Sequence, residues 1–272
     1  MALVSTGLLE GRVAIVTGGA DGIGGAISRL FAEHGAVVVV VDVDAERGRA
    51  IRSAVADVHT LDVTDAATPG IVHEAVMHTH GRIDILVNNV GHYLPRSGEF
   101  AKSAEEDWQG LYDINVLHVL RMTRAMLPTM IAAASGAIVN VSSVEGLRGY
   151  PPDPVYGAAK AAVIQFTRSL GLQVANQGVR VNGIAPDVTE TAQVPYSRWV
   201  PAGQDDLWPT WVPSGRMGTP LDQANAALFL ASDLSAFITG HTIPVDGGTA
   251  AAGGWFRTPQ GGWTNRPVQA QG

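Results

Sequence analysis

Val13-Ala14-Ile15-Val16-Thr17-Gly18-Gly19-Ala20-Asp21-Gly22-Ile23-Gly24 carries the strongest architectural signal in the chain. Its first four residues form a short apolar run, the pattern of a strand buried in a parallel sheet. A glycine-rich turn follows, then a helical pattern from Gly25 to Glu33. In that order, backbone N–H groups can approach a pyrophosphate with the positive end of the helix behind them. The spacing Gly18-x-x-x-Gly22-x-Gly24 is one residue longer in its first gap than the common dinucleotide fingerprint. Such glycines also make plain tight turns. The place directly after the first strand favours a nucleotide loop, with Gly18, Asp21, Gly22, Ile23 and Gly24 as contacts.

Outward from this unit, strands and helices alternate. Val37 to Val41 reads as a central strand, closed by Asp42. An acid there, some twenty residues past the loop, is placed to accept from ribose hydroxyls. Its other reading is a helix cap for 44–53, a role for which Asp44 is better placed. Asp42 and Asp21 repel a 2′-phosphate and no arginine directly follows Asp42, so NAD is expected, with NADP the alternative. A third strand over 57–61 ends at Asp62-Val63, and a helix is expected over 64–80. His73 and His78 are five apart, not the four a helical zinc site needs, so His73, His78 and His80 read as exposed helix residues and no metal is expected. A fourth strand over 83–87 ends in Asn88-Asn89-Val90-Gly91, whose amides are expected in the crevice at the strand ends. Helices are expected over 104–112 and 113–134, with Pro128 kinking the second and Asn115 near its start, either as a cap or in the site. Strands follow at 136–141, ending in Ser142-Ser143, and at 179–184; the last helix is 220–232 and the last strand 242–245.

The chain's 272 residues suit one α/β domain with a substantial core. A net charge of −7 argues against nucleic acid. No cysteine is present, which removes disulfides, thiolate nucleophiles and cysteine-bound zinc and fits a reducing, cytoplasmic interior. Residues 1–11 lack the pattern of a signal peptide, and no apolar stretch spans a bilayer.

Tyr156-Gly157-Ala158-Ala159-Lys160 opens a long helix after Pro151, Pro152 and Pro154. Tyr156 and Lys160 share a helix face one turn apart. An ammonium at roughly 5 Å in an effective dielectric of about 20 favours a phenolate by ~3 kcal/mol, or about two pK units. That brings a phenol toward working pH, where acid–base catalysis is efficient. By itself the pair is also an ordinary solvated helix face. The irregular stretch at about 187–216 holds Trp199, Trp208 and Trp211 among prolines and reads as a lid laying aromatic surface over an apolar substrate, or as a packed ornament. His92, Glu145 and Asp187 are further candidates for substrate contact. The tail, 249–272, is rich in glycine and tryptophan and is expected to dock, on this chain or a neighbouring subunit.

Taken together, Thr17-Gly18-x-x-x-Gly22-Ile23-Gly24, Asp62-Val63, Asn88-Asn89-x-Gly91, Asn115, Ser143, Tyr156-x-x-x-Lys160, Asn182-Gly183-Ile184-Ala185-Pro186 and Val245-Asp246-Gly247-Gly248 resemble the short-chain dehydrogenase/reductase family over about residues 8–248. The resemblance implies a Rossmann-type, doubly wound sheet of about seven strands and a homotetramer. It implies Tyr156 as acid/base, Lys160 lowering its pKa and holding the nicotinamide ribose, Ser143 polarising the substrate oxygen, and Asn115 holding a relay water. Asp62 and Val63 would meet adenine. Asn89 and Gly91 would lie along the cofactor, and Pro186, Val188, Thr189 and Thr191 near the carboxamide. Val90 replaces the usual alanine, and Asp187 the usual glycine, placing a carboxylate where it would bond a substrate hydroxyl and disfavour anions. The expected activity is NAD-dependent hydride transfer with a secondary alcohol or ketone, apolar or cyclic. The alternatives are an NADP-dependent 3-oxoacyl ketoreductase, an epimerase working by transient oxidation, and a non-catalytic NAD sensor. Loop spacing and a short chain count against the epimerase, and the intact Asn115, Ser143, Tyr156 and Lys160 against the sensor.

Overall fold

A computed structural model describes residues 7–93, 99–196, 203–204, 207–258 and 261–264. Seven parallel strands form one sheet in the order β3-β2-β1-β4-β5-β6-β7. They are β1 (Val13–Thr17), β2 (Val37–Asp42), β3 (Asp57–Thr60), β4 (Ile85–Asn88), β5 (Gly136–Val141), β6 (Val179–Pro186) and β7 (Thr242–Val245). Helices between them are α1 (Gly22–Glu33), α2 (Ala45–Ile51), α3 (Thr68–His80), α4 (Glu105–Tyr112), α5 (His118–Ala132) and α6 (Pro154–Val174), and a further helix spans Pro220–Ala231.

Alternation along the strands explains the two layers of helices. Ala14 and Val16 of β1, with Val38 and Val40 of β2, pack under α1 and the Pro220–Ala231 helix. Val13, Ile15, Val39 and Val41 point the other way, onto α3, α5 and α6. A strand covered on both faces has no polar face, hence the continuous valines of β2. Crossing from β1 to β4 reverses the direction in which the sheet grows, and in open α/β sheets ligands bind at such a point.

Several boundaries differ from the sequence reading. The first helix begins at Gly22, inside the glycine turn. The third begins at Thr68, because Asp62 and Asp65 accept from the N–H groups of Thr64 and Ala67 and hold the chain in turns. No break separates α4 from α5; a widened π turn, Asp113–Leu117, joins them and carries Asn115, and α5 continues through Pro128. The irregular 187–216 stretch contains a short helix, Trp208–Trp211. Beyond β7 the chain adds a helical turn, Thr249–Ala252, and a two-stranded hairpin, Phe256–Arg257 with Trp263–Thr264. No helix among the described residues is long and apolar enough to cross a membrane.

Candidate active site

A cavity of about 480 Å³ runs along the carboxyl edge of the sheet, from the exit of β3 to that of β6. The glycine loop forms one wall. A Cβ on Gly24 would lie 2.1 Å from the Gly18 carbonyl oxygen, so α1 closes onto the turn only because that side chain is missing. The Asp42 carboxylate accepts from the N–H groups of Ala20 and Asp44, both at 3.0 Å, and ties the loop to β2 while lining the cavity. Asp44 caps α2 by accepting from the N–H groups of Glu46 and Arg47. Arg47 was missed in the sequence. It lines the same wall and pairs with Asp21 at 3.4 Å and Asp44 at 3.2 Å. Asp62 accepts from the Thr64 N–H and hydroxyl, both at 2.8 Å, and with Val63 lines this end too.

At the exit of β4 the two asparagines separate. Asn89 donates to the Thr17 and Gly18 carbonyls at 3.1 and 3.2 Å and so fixes the start of the loop. Asn88 does not reach the crevice, contrary to expectation. Its amide donates to Asn140 at 2.8 Å and Thr123 at 3.1 Å, and Asn140 donates to Thr167 at 2.9 Å. This fully buried polar ladder crosses from the sheet into α6.

Helix α6 presents the central pair. Asp153, buried at its start, accepts from the N–H groups of Val155 and Tyr156, and Pro154 occupies the first turn, where a missing N–H costs nothing. One turn later Lys160 is buried, and its Nζ donates to the Val141 carbonyl at 3.3 Å, 5.7 Å from the centre of the Tyr156 ring. Gly91 makes room for it, since a Cβ there would stand 2.5 Å from Nζ. Ser143, at the exit of β5, hydrogen-bonds the Tyr156 phenol and accepts from the Glu145 N–H at 3.2 Å. The expected lowering of the Tyr156 pKa is not seen. Burial pushes the phenol up, and the Ser143 hydrogen bond only partly opposes it. Burial also pulls Lys160 down to about 8, so the ammonium is itself weakened as a partner.

The π turn sets Asn115 against the exit of β4. Its side chain accepts from the His92 N–H at 3.1 Å and donates to the His92 carbonyl at 2.8 Å and the Leu111 carbonyl at 2.9 Å. The amide is thus committed to protein partners. Burial lowers the His92 pKa, and its ring lies against Tyr93.

The remaining wall departs most from expectation. Trp208 and Trp211 do not line the cavity; Trp208 packs edge-on against Tyr196, and Trp211 is exposed. Trp199 lies outside the described residues. The segment contributes Tyr196 to the wall instead, and Tyr93 and Tyr150 from other loops join it beside Tyr156. Asp187 lines the cavity, but its carboxylate is taken by Arg148 at 3.0 Å and by the hydroxyl of Thr249 at 2.5 Å. Arg148 also holds Glu145 at 2.9 Å. The start of the tail therefore docks on its own chain. Pro186, Val188, Thr189 and Thr191 border the cavity, with Val188 at φ 23°, a strained value for a β-branched residue. Among the described residues no cluster suits a metal ion.

Comparison with known proteins agrees with this architecture. A family model described as enoyl-(acyl carrier protein) reductase matches residues 18–250. A 3-oxoacyl-(acyl-carrier-protein) reductase, FabG, of Chlamydia muridarum is 39% identical over 255 residues, covering 89% of this chain and 99% of that protein. The 2,5-dichloro-2,5-cyclohexadiene-1,4-diol dehydrogenase LinX of Sphingobium indicum is 36% identical over 246 residues, covering 88% and 96%. A crystal structure of levodione reductase superposes with a TM-score of 0.81 at 30% identity, covering 90% of this chain and 99% of that one. With its seven-stranded parallel sheet and these relatives, the chain belongs to the short-chain dehydrogenase/reductase family, oxidoreductases acting on CH–OH and keto groups.

Proposed function

We propose that the protein is an NAD-dependent oxidoreductase moving a hydride between a secondary alcohol, or its ketone, and the nicotinamide, and that it works as a homotetramer. The observation carrying this reading is the placement of Ser143, Tyr156 and Lys160 in one cavity with the glycine loop. The close Gly18–Gly24 approach and the Asp42 and Asp62 carboxylates fit a dinucleotide lying from the loop toward Tyr156. When bound, the nicotinamide supplies the hydride acceptor or donor. Tyr156 takes the carbinol proton, Ser143 donates to the substrate oxygen, and the Lys160 charge holds the ribose and favours the phenolate. Asn115 acts through the His92 backbone, which its amide grips on both sides.

Preference for NAD rests on charge. A 2′-phosphate would meet Asp21 and Asp42, and Arg47 beside them is already held by Asp21 and Asp44. A second reading, an NADP-dependent 3-oxoacyl ketoreductase, is favoured by the names of several relatives and by Arg47 being in the cavity wall.

Following reduced nicotinamide with NAD and NADP over a panel of alcohols, ketones and 3-oxoacyl thioesters tests both. NAD-linked turnover of secondary alcohols, lost in Tyr156→Phe by at least ~100-fold while NAD still binds, is expected. Substantial turnover in Tyr156→Phe would overturn the assignment.

A further inference from the structure

We infer that the substrate is a neutral cyclic diol, or the corresponding hydroxyketone, whose second hydroxyl is bound by the Glu145–Arg148–Asp187 cluster on the cavity wall. This rests on the proposed function for the carbon that is oxidised. It adds what recognises the rest of the molecule.

Glu145 and Asp187 come from different loops, after β5 and β6, and both line the cavity that holds Tyr156. Arg148 joins them: one guanidinium nitrogen reaches Glu145 at 2.9 Å and Asp187 at 3.0 Å. It is not among the cavity-wall residues, so it approaches the carboxylates from behind. The side chains of Glu145 and Asp187 are 14% and 7% exposed, so these are enclosed groups, not a solvated surface pair.

Two carboxylates with one arginine keep one net negative charge at this end. Among the described wall residues the only arginine or lysine side chains are Arg47, at the loop end, and Lys160, beside Tyr156. At this end a substrate carboxylate or phosphate would find like charge, and the one guanidinium there already bridges two carboxylates. A neutral molecule is therefore selected.

Hydrogen-bond capacity selects further. An ionised carboxylate only accepts, with about four lone-pair sites. The Glu145 oxygens each take one donor, from Arg148 at 2.9 and 3.4 Å, whereas Asp187 already accepts from the Val188 N–H, Arg148 and the Thr249 hydroxyl. Acceptor capacity is therefore left over chiefly on Glu145, which lines the cavity, and a substrate O–H can meet it. A thioester, ether or second ketone brings only acceptors and would leave buried lone pairs facing lone pairs, a loss on the order of 10-fold or more in binding. The phenols of Tyr93, Tyr150 and Tyr196 on the same wall suit the flat faces of a ring. The relative whose name specifies a cyclohexadiene-1,4-diol points the same way.

The test compares cyclohexanol, the 1,2-, 1,3- and 1,4-cyclohexanediols, their mono-methyl ethers and a 3-hydroxybutyryl thioester. The methyl ether removes the donor and adds one methyl group, and cyclohexanol removes the whole second oxygen. At least one diol is expected to exceed both cyclohexanol and its own ether at least 30-fold in kcat/KM, chiefly through KM. That preference is expected to fall below 3-fold in Glu145→Gln and Asp187→Asn, and to be partly kept in Arg148→Lys but not Arg148→Gln. Calorimetric binding of the preferred diol to NAD-loaded Tyr156→Phe protein is expected to weaken in step when these changes are added. Wild-type protein that oxidises diol, ether and cyclohexanol alike overturns the inference and leaves the proposed function standing. Preference for the thioester overturns it in favour of the ketoreductase reading. Absence of any Tyr156-dependent turnover with either nucleotide overturns both.

Discussion

The Lys160 ammonium lies 5.7 Å from the centre of the Tyr156 ring and 3.3 Å from the Val141 carbonyl oxygen, enclosed by protein. The two groups share one problem, since burial disfavours both the phenolate and the ammonium. The site stores charge at the expense of stability, as functional sites commonly do.

Lys160→Met is expected to abolish turnover and yet melt higher than wild type at pH 7. The folded-state pKa is lowered from 10.5 to about 8. Below pH 8 the lysine is charged in both states and its burial cost, on the order of 3 kcal/mol, is present in full. Between pH 8 and 10.5 the unfolded chain holds more protons, so the wild type gains stability as pH rises and the cost disappears. The advantage of the variant, roughly 3–8 °C at pH 7, should shrink to nothing by about pH 10.5 in thermal melts.

Freeing Arg47 is expected to open the cofactor site to NADP. In Asp21→Ser/Asp42→Ala the guanidinium loses one of its two carboxylate partners, and a 2′-phosphate loses two repelling neighbours. NADP affinity should rise at least ~10-fold, measured by fluorescence titration, corresponding to about 1.4 kcal/mol. Adding Arg47→Ala should cancel the gain. NADP binding that does not respond to these changes removes Arg47 from the account.

Asn140→Leu is expected to cost about 2–4 kcal/mol in urea unfolding. Asn140 accepts from Asn88 and donates to Thr167, and all three are buried. The change strands one donor and one acceptor without water. Activity per folded molecule should change little, because none of the three lines the cavity.

Asp153→Ala is expected to cost about 1–2 kcal/mol and to lower kcat more than it raises KM. The carboxylate accepts from the N–H groups of Val155 and Tyr156, so it sets the first turn of α6 on which Tyr156 stands. Asp153→Asn, which keeps the accepting oxygen, should recover most of both. Steady-state kinetics beside urea melts separate the two effects.

Much was legible in the chain because it depends on neighbours in sequence. A strand, a glycine turn and a helix within 21 residues define the loop at any level of tertiary detail. Tyr156 and Lys160 share a face because a helix repeats every 3.6 residues, and Asp44 caps α2 through bonds spanning two and three residues. Tertiary structure decided whatever joins distant segments. Arg148 meets Asp187 across 39 positions, and Asn88 meets Asn140 across 52. Local pattern does not show which residue of a long loop turns inward, so Tyr196 lines the wall where the tryptophans of that loop were expected. The direction of the Tyr156 shift belongs here too. A spacing of four residues sets how near the cation stands, but the desolvation opposing it comes from every segment that closes over the ring.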